Sequence, residues 1–452
     1  MVGSWNEGPG PAHQHLSDRL RLLVLDGRLG LGVVLPSERE LASTLGTSRT
    51  TVGTAYRTLA DQRYVETHER ARAVVRLPGD RAPHQQVTPS ATTIDLSFAA
   101  PPAPVEVLYS AYATALEQLP RHFGRNGYDP LGVIELRAAV AYRYEQRGLR
   151  TRPDHILITT GAQHALALIA RALLTPGDRV LIDHPTYPHA IRVFNDARAR
   201  ITPVSLTETG WDTTQLQSAS RVSQLAYLIP DFHNPTGLCM SGAVREQINL
   251  SCLTVIDETM ADLALDVAPP TPFARHHPTA ISIGSASKSI WGGLRIGWIR
   301  AHPSVLERVA QIRTGTDLGT PLLEQLATAQ LLYSDGYRAD MLHRLRTQRQ
   351  ALDTAISEKF PEWRVIKTPG GLSKWAALPD AVSSRLAAIA PDYGVAIAAG
   401  PRFGIGGAFE RNIRMPYSLP PEQLIEGIHR LARAHDALAQ GKAGRHDPVP
   451  LA

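Results

Sequence analysis

The sequence predicts an α/β protein that carries a separate helical unit at its N-terminus. Three observations predict it. Short apolar, β-rich runs alternate with helical patterns through most of the chain, the signature of a mostly parallel sheet. The first eighty residues hold glycine-punctuated helices instead. Between the two lies a stretch rich in Pro, Gly, Gln, Ser and Thr without apolar periodicity, which reads as a linker. At 452 residues the chain is too long for one ordinary domain, and 43% hydrophobic with 20% charged residues describes a soluble globular protein.

The N-terminal unit, residues 1–77, is justified helix by helix. Leu16, Leu20, Leu23 and Val24 recur at helical spacing up to Asp26, and Gly27 is placed to stop that helix. Ser37 and Glu40 then form a capping box ahead of Leu41, Ala42 and Leu45. After Gly46, Ser48 can cap a third helix over 49–62, whose apolar side is Val52, Ala55, Tyr56 and Leu59. Helix, glycine turn and helix at this spacing is the helix-turn-helix pattern, in which the second helix of the pair enters the major groove.

The run Leu35-Pro-Ser-Glu-Arg-Glu-Leu-Ala, then Leu45-Gly-Thr-Ser-Arg-Thr-Thr-Val, Ala55-Tyr-Arg-Thr-Leu and Tyr64-Val65, resembles the winged helix-turn-helix of the GntR family of bacterial regulators. The resemblance implies that Arg39, Ser48, Arg49, Thr51 and Tyr56 face DNA, some on phosphates and some on base edges. A solvated helix surface is the plain alternative for Arg39 and Arg49. Where the family carries a glycine-rich wing tip, this chain has Glu69-Arg70-Ala71-Arg72-Ala73-Val74-Val75. Arg70 and Arg72 suit a minor-groove or phosphate contact. The net charge of +5 is too small over this length to argue for nucleic acid by itself.

The linker, residues 78–93, leads into an α/β unit over 94–440, followed by a flexible tail, 441–452. Its strands are read at 156–159, 179–183, 225–229, 254–257 and 280–283. Polar signals follow their ends, where such sheets place ligands. Thr160-Gly161-Ala162-Gln163 opens a helix whose amides can receive a phosphate. Tyr187 could lay its ring over a flat cofactor, Asn234 offers an amide in a tight turn, and Asp257 ends a strand. Singly, glycine turns, Asn-Pro-Thr-Gly turns and a strand-end Asp are ordinary; it is their order that points to a site.

Lys288 is the only lysine among the first 358 residues. Arginine stays protonated, whereas a lysine amine can deprotonate and form a Schiff base with a carbonyl. A stray solvated lysine is the plain reading, but the neighbourhood is Ser285-Ala-Ser287-Lys288-Ser289-Ile-Trp-Gly-Gly293-Leu-Arg295. Hydroxyls and a guanidinium can hold a phosphate, and glycines let the backbone approach it. An aldehyde carrying a phosphate fits both halves, and pyridoxal 5′-phosphate is the obvious candidate.

Residues from about 94 to 440 resemble the fold-type I aminotransferases, which bind pyridoxal phosphate and add a smaller C-terminal α/β subdomain. The resemblance implies Lys288 as the covalent anchor, Asp257 on the pyridine nitrogen and Asn234 on the phenolic oxygen. It implies phosphate contacts from Ala162, Gln163, Ser285, Ser287 and Arg295, and from Tyr128 of a neighbouring subunit, although the spacing of Tyr128 to Gly132 is one residue short of the commonest form. Arg414 matches the arginine that grips a substrate carboxylate. Many relatives carry a tyrosine two or three residues after the aspartate; here the run is Asp257-Glu258-Thr259-Met260, and methionine offers no comparable donor, which points away from an optimised enzyme.

Winged helix, linker and aminotransferase-like domain together resemble the MocR subfamily of regulators. That resemblance implies a transcriptional regulator whose large domain senses an amine or amino acid through Lys288, and a head-to-tail homodimer in which each DNA-binding unit packs on the partner's large domain. The alternatives are a working aminotransferase that carries a DNA-binding module, and a regulator that senses pyridoxal phosphate itself to control its synthesis. No apolar run reaches ~18 residues and no signal-peptide pattern opens the chain, so no membrane association is expected. Cys239 and Cys252 make no disulfide framework, no His/Cys cluster has metal-ligand spacing, and a reducing cytoplasm is expected.

Overall fold

The structure is a computed structural model that describes residues 2–3, 5–6, 10–25, 28–29, 33–67, 72–76, 93–124 and 126–440. Gly27, Arg70, the linker up to residue 92 and the tail lie outside the described residues.

In the N-terminal unit, α1 (Ala12–Leu25), α2 (Glu38–Leu45) and α3 (Arg49–Asp61) precede β1 (Val65–Glu66) and β2 (Val74–Val75), which pair antiparallel as the wing's base. The helix α1 begins ahead of Leu16 because Pro11 suits a helix start, and its carbonyl accepts the Gln14 and His15 amides. The capping box forms: Ser37 Oγ accepts the Glu40 amide at 3.2 Å and the Glu40 carboxylate accepts the Ser37 amide at 2.9 Å. Gly46 ends α2 at φ 63°, a left-handed conformation that glycine adopts freely. Leu16, Leu20, Leu23, Val52, Ala55 and Leu59 make the small core. Tyr56 belongs to it. At 6% exposure, with its hydroxyl donated to the Pro36 carbonyl at 2.9 Å, it holds α3 to the start of α2 and is turned into the core, because it shares the buried face of α3 with Val52 and Leu59.

In the large domain β3 (Ile94–Leu96), α4 (Val105–Gln118) and α5 (Ile134–Gln146) come first. Then follow β4 (Ile156–Thr159), α6 (Ala162–Leu173), β5 (Arg179–His184), α7 (Pro188–Asp196), β6 (Arg200–Thr207), β7 (Gly210–Trp211) and α8 (Thr213–Ser220). Next are β8 (Leu225–Leu228), α9 (Gly242–Gln247), β9 (Leu253–Asp257), β10 (Ile281–Ser285) and β11 (Gly297–Arg300). Helices α10 (Pro303–Arg313), α11 (Leu322–Leu332) and α12 (Asp335–Lys359) lead to β12 (Arg364–Val365) and β13 (Ser373–Ala377). The chain closes with α13 (Ser383–Ile389), β14 (Val395–Ala399), β15 (Asn412–Pro416) and α14 (Pro421–Ala439).

Eight strands form the central sheet in the order β4-β11-β10-β9-β8-β5-β6-β7. From β10 to β6 all neighbours run parallel, and β11 and β7 run against them. Strands β8, β10 and β11 are buried along their length, as a sheet covered on both faces requires. A second sheet, β12-β13-β15-β14-β3, builds the smaller subdomain. Its last strand, β3, comes from the residues just after the linker and pairs parallel with β14, so the subdomain is not purely C-terminal.

The winged helix rests on this subdomain of the same chain. Arg19 of α1 donates to Ser384 Oγ at 3.2 Å and lies 3.7 Å from the Glu410 carboxylate, while Arg385 and His15 meet at 3.2 Å. Among the described residues no helix is long and apolar enough to cross a membrane.

Candidate functional site

The site collects at the ends of the parallel strands, where the sheet opens towards the smaller subdomain. Beyond β4, Gly161 takes φ 87° and starts α6, so the first amides of α6 point out of the sheet. The positive φ favours glycine here, and a Cβ would meet an Arg295 guanidinium nitrogen at 2.7 Å, so a larger residue would push this cation away from the helix start. Arg295 is itself left-handed, at φ 50°, and donates to the Thr160 carbonyl at 3.2 Å. Ser285, at the end of β10, donates to the Ile296 carbonyl and accepts the Ser287 amide at 3.1 Å, which folds the two hydroxyls into one turn. Gln163 keeps a buried Oε1 without a hydrogen-bond partner.

Lys288 lies in a single π-helical turn, 287–291, a local widening that is frequent at functional sites. Its Nζ donates to the Ala99 carbonyl at 2.7 Å. Burial, then the Arg414 charge, lowers its pKa to about 8, with Asp257 pulling the other way. Asp257, at the end of β9, is 7% exposed; one carboxylate oxygen accepts the Thr259 amide at 3.0 Å and the other accepts the Tyr227 hydroxyl at 2.6 Å. Tyr187 opens α7, and burial together with the Asp257 charge raises its hydroxyl to about 12.

Arg414, on β15, brings the smaller subdomain to the site. It donates to Asn234 Oδ1 at 3.3 Å and to the Ser97 carbonyl, while its Nε is buried without a partner. Burial first, then Arg402, lowers its pKa to about 9, so this guanidinium is short of negative charge.

Lys288, Arg295 and Arg414 thus bring three positive groups around the buried Asp257 carboxylate. That excess of positive charge, with an unpartnered Arg414 Nε, a glycine-backed helix start and a depressed lysine, fits pyridoxal phosphate with a carboxylate beside it. Bound there, the cofactor supplies a carbonyl for amine capture and an electron sink.

Of the sequence-predicted residues, Lys288, Asp257, Tyr187, Arg295 and Arg414 act on one another's charges, Asn234 is bonded to Arg414, Ser285 and Ser287 share a turn, and Ala162 and Gln163 open α6, whose start Arg295 meets. Tyr128 stands outside this group, 65% exposed at the surface of the single chain. Met260 is buried and Thr259 uses its amide on Asp257, so neither replaces the absent tyrosine. Sequence reasoning missed Tyr227 and Phe403, whose ring lies under Arg414. The signal for Tyr227 was present: a phenol within the apolar run 225–228 needs a buried partner for its O–H, and the adjacent strand ends in Asp257.

On the winged helix, Arg39, Ser48 and Arg49 are exposed and Thr51 is half-buried. Ser48 caps α3 by accepting the Thr51 amide at 3.0 Å. Arg49 pairs with Glu38 at 3.2 Å and Arg72 with Glu40 at 2.9 Å, both near the start of α2.

Residues 105–431 match the family described as aminotransferase class I and II, and residues 12–75 match bacterial regulatory proteins of the gntR family. The HTH-type transcriptional regulator YdfD of Bacillus subtilis, itself uncharacterized, is 27% identical over 93% of this chain and 95% of its own length. The probable rhizopine catabolism regulatory protein MocR of Rhizobium meliloti is 27% identical over 79% of each chain. Among solved structures, LysN, the alpha-aminoadipate aminotransferase of Thermus thermophilus complexed with N-(5′-phosphopyridoxyl)-L-leucine, superposes with a TM-score of 0.71 at 30% identity, over 77% of this chain and 94% of that one. The chain belongs to the aminotransferase class I and II family, joined behind a GntR-family DNA-binding unit in the arrangement of the MocR regulators.

Proposed function

We propose that this pyridoxal-phosphate-dependent DNA-binding regulator senses an amino compound, whose amine would take the place of the Lys288 amine on the cofactor and whose carboxylate would rest on Arg414. The observation that carries the reading is the path of residues 400–412, which touch the site on one side and the winged helix on the other. On the site side, Phe403 underlies Arg414 at 5.0 Å and its carbonyl accepts the Thr186 amide at 2.8 Å. The Ile405 amide donates to His184 Nε2 at 3.0 Å, and His184 packs on the Phe409 ring at 4.7 Å. On the DNA-binding side, the Pro401 carbonyl accepts from Arg28 at 3.2 Å and Glu410 faces Arg19 at 3.7 Å. A ligand alters DNA affinity only if it binds two arrangements differently, and a segment packed against both sites is where such a difference would be read.

In this reading Arg39, Ser48, Arg49, Thr51, Arg70 and Arg72 meet the DNA. The homodimer is supported by α4, which exposes Val105 (74%), Tyr109 (79%) and Leu116 (54%), with Tyr128 exposed nearby in the chain. Domain exchange reuses one interface in trans, so the contacts of α1 with α13 would form equally between protomers.

A second reading, turnover of an amino acid with a keto acid, is favoured by the same Lys288, since an amine half-neutral near pH 8 suits a general base. The donor missing at Met260 weighs against it.

The test uses the full chain and a DNA fragment selected for binding to it. DNA affinity is measured with and without pyridoxal phosphate, then across a panel of amines and amino acids. The expected result is a change in affinity that needs both cofactor and amine and is lost in Lys288→Ala. A full response to pyridoxal phosphate alone would establish cofactor sensing instead, and sustained transamination unaffected by DNA would establish the enzyme.

A further inference from the structure

Tyr227 sits on β8, beside β9, with its side chain fully buried. Its hydroxyl donates to one carboxylate oxygen of Asp257 at 2.6 Å, a short separation of the kind made to an ionised acceptor. The other oxygen accepts the Thr259 amide at 3.0 Å. Each carboxylate oxygen has room for two donors, so both bonds together fix the rotation of the group and leave lone pairs to meet a ring nitrogen.

We propose that Tyr227 is the positioning residue for the cofactor's ring nitrogen: by holding one oxygen of Asp257, it orients the carboxylate and takes up part of its charge, so that the ring faces a fixed and moderated anion. The proposal rests on Lys288 and Asp257 holding pyridoxal phosphate, and it assigns to Tyr227 the tuning of that cofactor's reactivity. It also gives a buried polar group a reason to be there. The Phe194 ring packs edge-on against Tyr227 at 5.8 Å. A phenylalanine would serve that packing equally well, whereas only tyrosine serves Asp257.

The surrounding charges agree. Burial, then the Asp257 charge, holds the Tyr227 hydroxyl well above its ordinary pKa, with Tyr187 and Asp183 acting in the same direction. It therefore stays a neutral O–H donor across the working pH range. Removing it would leave Asp257 with more of its charge facing the ring and less restraint on its rotation. A more negative or displaced carboxylate would weaken the electron withdrawal of a bound cofactor ring, so the Lys288 nitrogen joined to it would hold its proton to higher pH.

The experiment is a pH titration of the visible absorbance band of the cofactor-loaded full chain. In Tyr227→Phe the midpoint should rise by roughly one pH unit, the scale of a charge-assisted hydrogen bond partly transmitted through the ring. Replacing the hydroxyl's ring with 3-fluorotyrosine at position 227 keeps the shape and strengthens the donor, so the midpoint should fall. In an Asp257→Asn background the Tyr227→Phe shift should vanish, because a residue acting through Asp257 has nothing left to act on; additive shifts would mean a merely structural role. The melting temperature of the cofactor-free protein reports folding separately, and the fluorotyrosine protein carries the test if Tyr227→Phe does not fold. An absent band in the wild-type chain would overturn the cofactor reading itself. A wild-type band whose midpoint is unmoved by either change at position 227 overturns only the role of Tyr227.

Discussion

The guanidinium carbon of Arg414 lies 5.0 Å from the centre of the Phe403 ring, which places the residue that would hold an effector's carboxylate on the segment that reaches the winged helix. The contact is a cation–π interaction in a desolvated setting, where the ring face compensates part of a charge that burial disfavours. A carboxylate arriving at Arg414 would compete with Phe403, Asn234 and the Ser97 carbonyl for the same guanidinium, and its arrival would reach residues 400–403 directly.

Arg414→Ala should therefore separate sensing from binding. The cofactor band and the DNA affinity without effector should remain, while the amino acid concentration giving half the response should rise about 100-fold, as loss of charge-assisted hydrogen bonds implies. A titration of DNA affinity against the effector measures it, and amines without a carboxylate should be unaffected.

Cofactor loading should follow the pH of the Lys288 amine. Only the neutral amine attacks a carbonyl, so the rate should climb about tenfold per pH unit and level off above pH 8. An ordinary lysine would keep climbing towards its usual value of 10.5. Because Arg414 is one cause of the depression, the plateau should move to higher pH in Arg414→Ala. The stability of the cofactor-free protein should rise between about pH 8 and 10.5, since there the unfolded chain binds the Lys288 proton and the folded chain does not. Stopped-flow absorbance and thermal melts report the two effects.

Glu410→Gln should weaken communication. Glu410 faces Arg19 at 3.7 Å and accepts the Ser384 amide and hydroxyl at 2.7 and 2.8 Å, so it joins the winged helix to the segment leading to Arg414. A coupling on the order of tenfold between effector and DNA should fall towards unity. Effector affinity measured without DNA should stay within about twofold.

On the DNA face, Arg49→Ala should reduce the slope of log affinity against log salt by about 1, as the loss of one phosphate contact does. Glu38→Gln should act in the opposite direction, because Glu38 occupies Arg49 at 3.2 Å in the free protein and must be displaced by the phosphate. Binding isotherms at several salt concentrations distinguish the two variants from a misfolded winged helix, which would lose affinity for every DNA.

Much of this protein was legible before folding because the relevant signals are local. The capping box of Ser37 and Glu40 spans one helical turn, and Gly161 starts α6 within two residues of the strand before it. Lys288 stood out chemically as the only lysine among the first 358 residues, and Asn234, Asp257 and Arg295 followed from their places at or after strand ends. Tertiary structure decided what each side chain meets. Tyr56, suited by motif to DNA, is turned inward by the packing of α3, and its hydroxyl finds Pro36. Asn234 and Arg414, 180 residues apart, meet through two different sheets, and Arg19 reaches Ser384 across 365 residues. Tyr227 finds Asp257, 30 positions further along the chain, because β8 and β9 lie side by side. Periodicity and caps encode which face of an element is buried; which polar group lies opposite depends on strand order and on how the two domains dock, and these are set by the whole chain's search for partners for its buried charges.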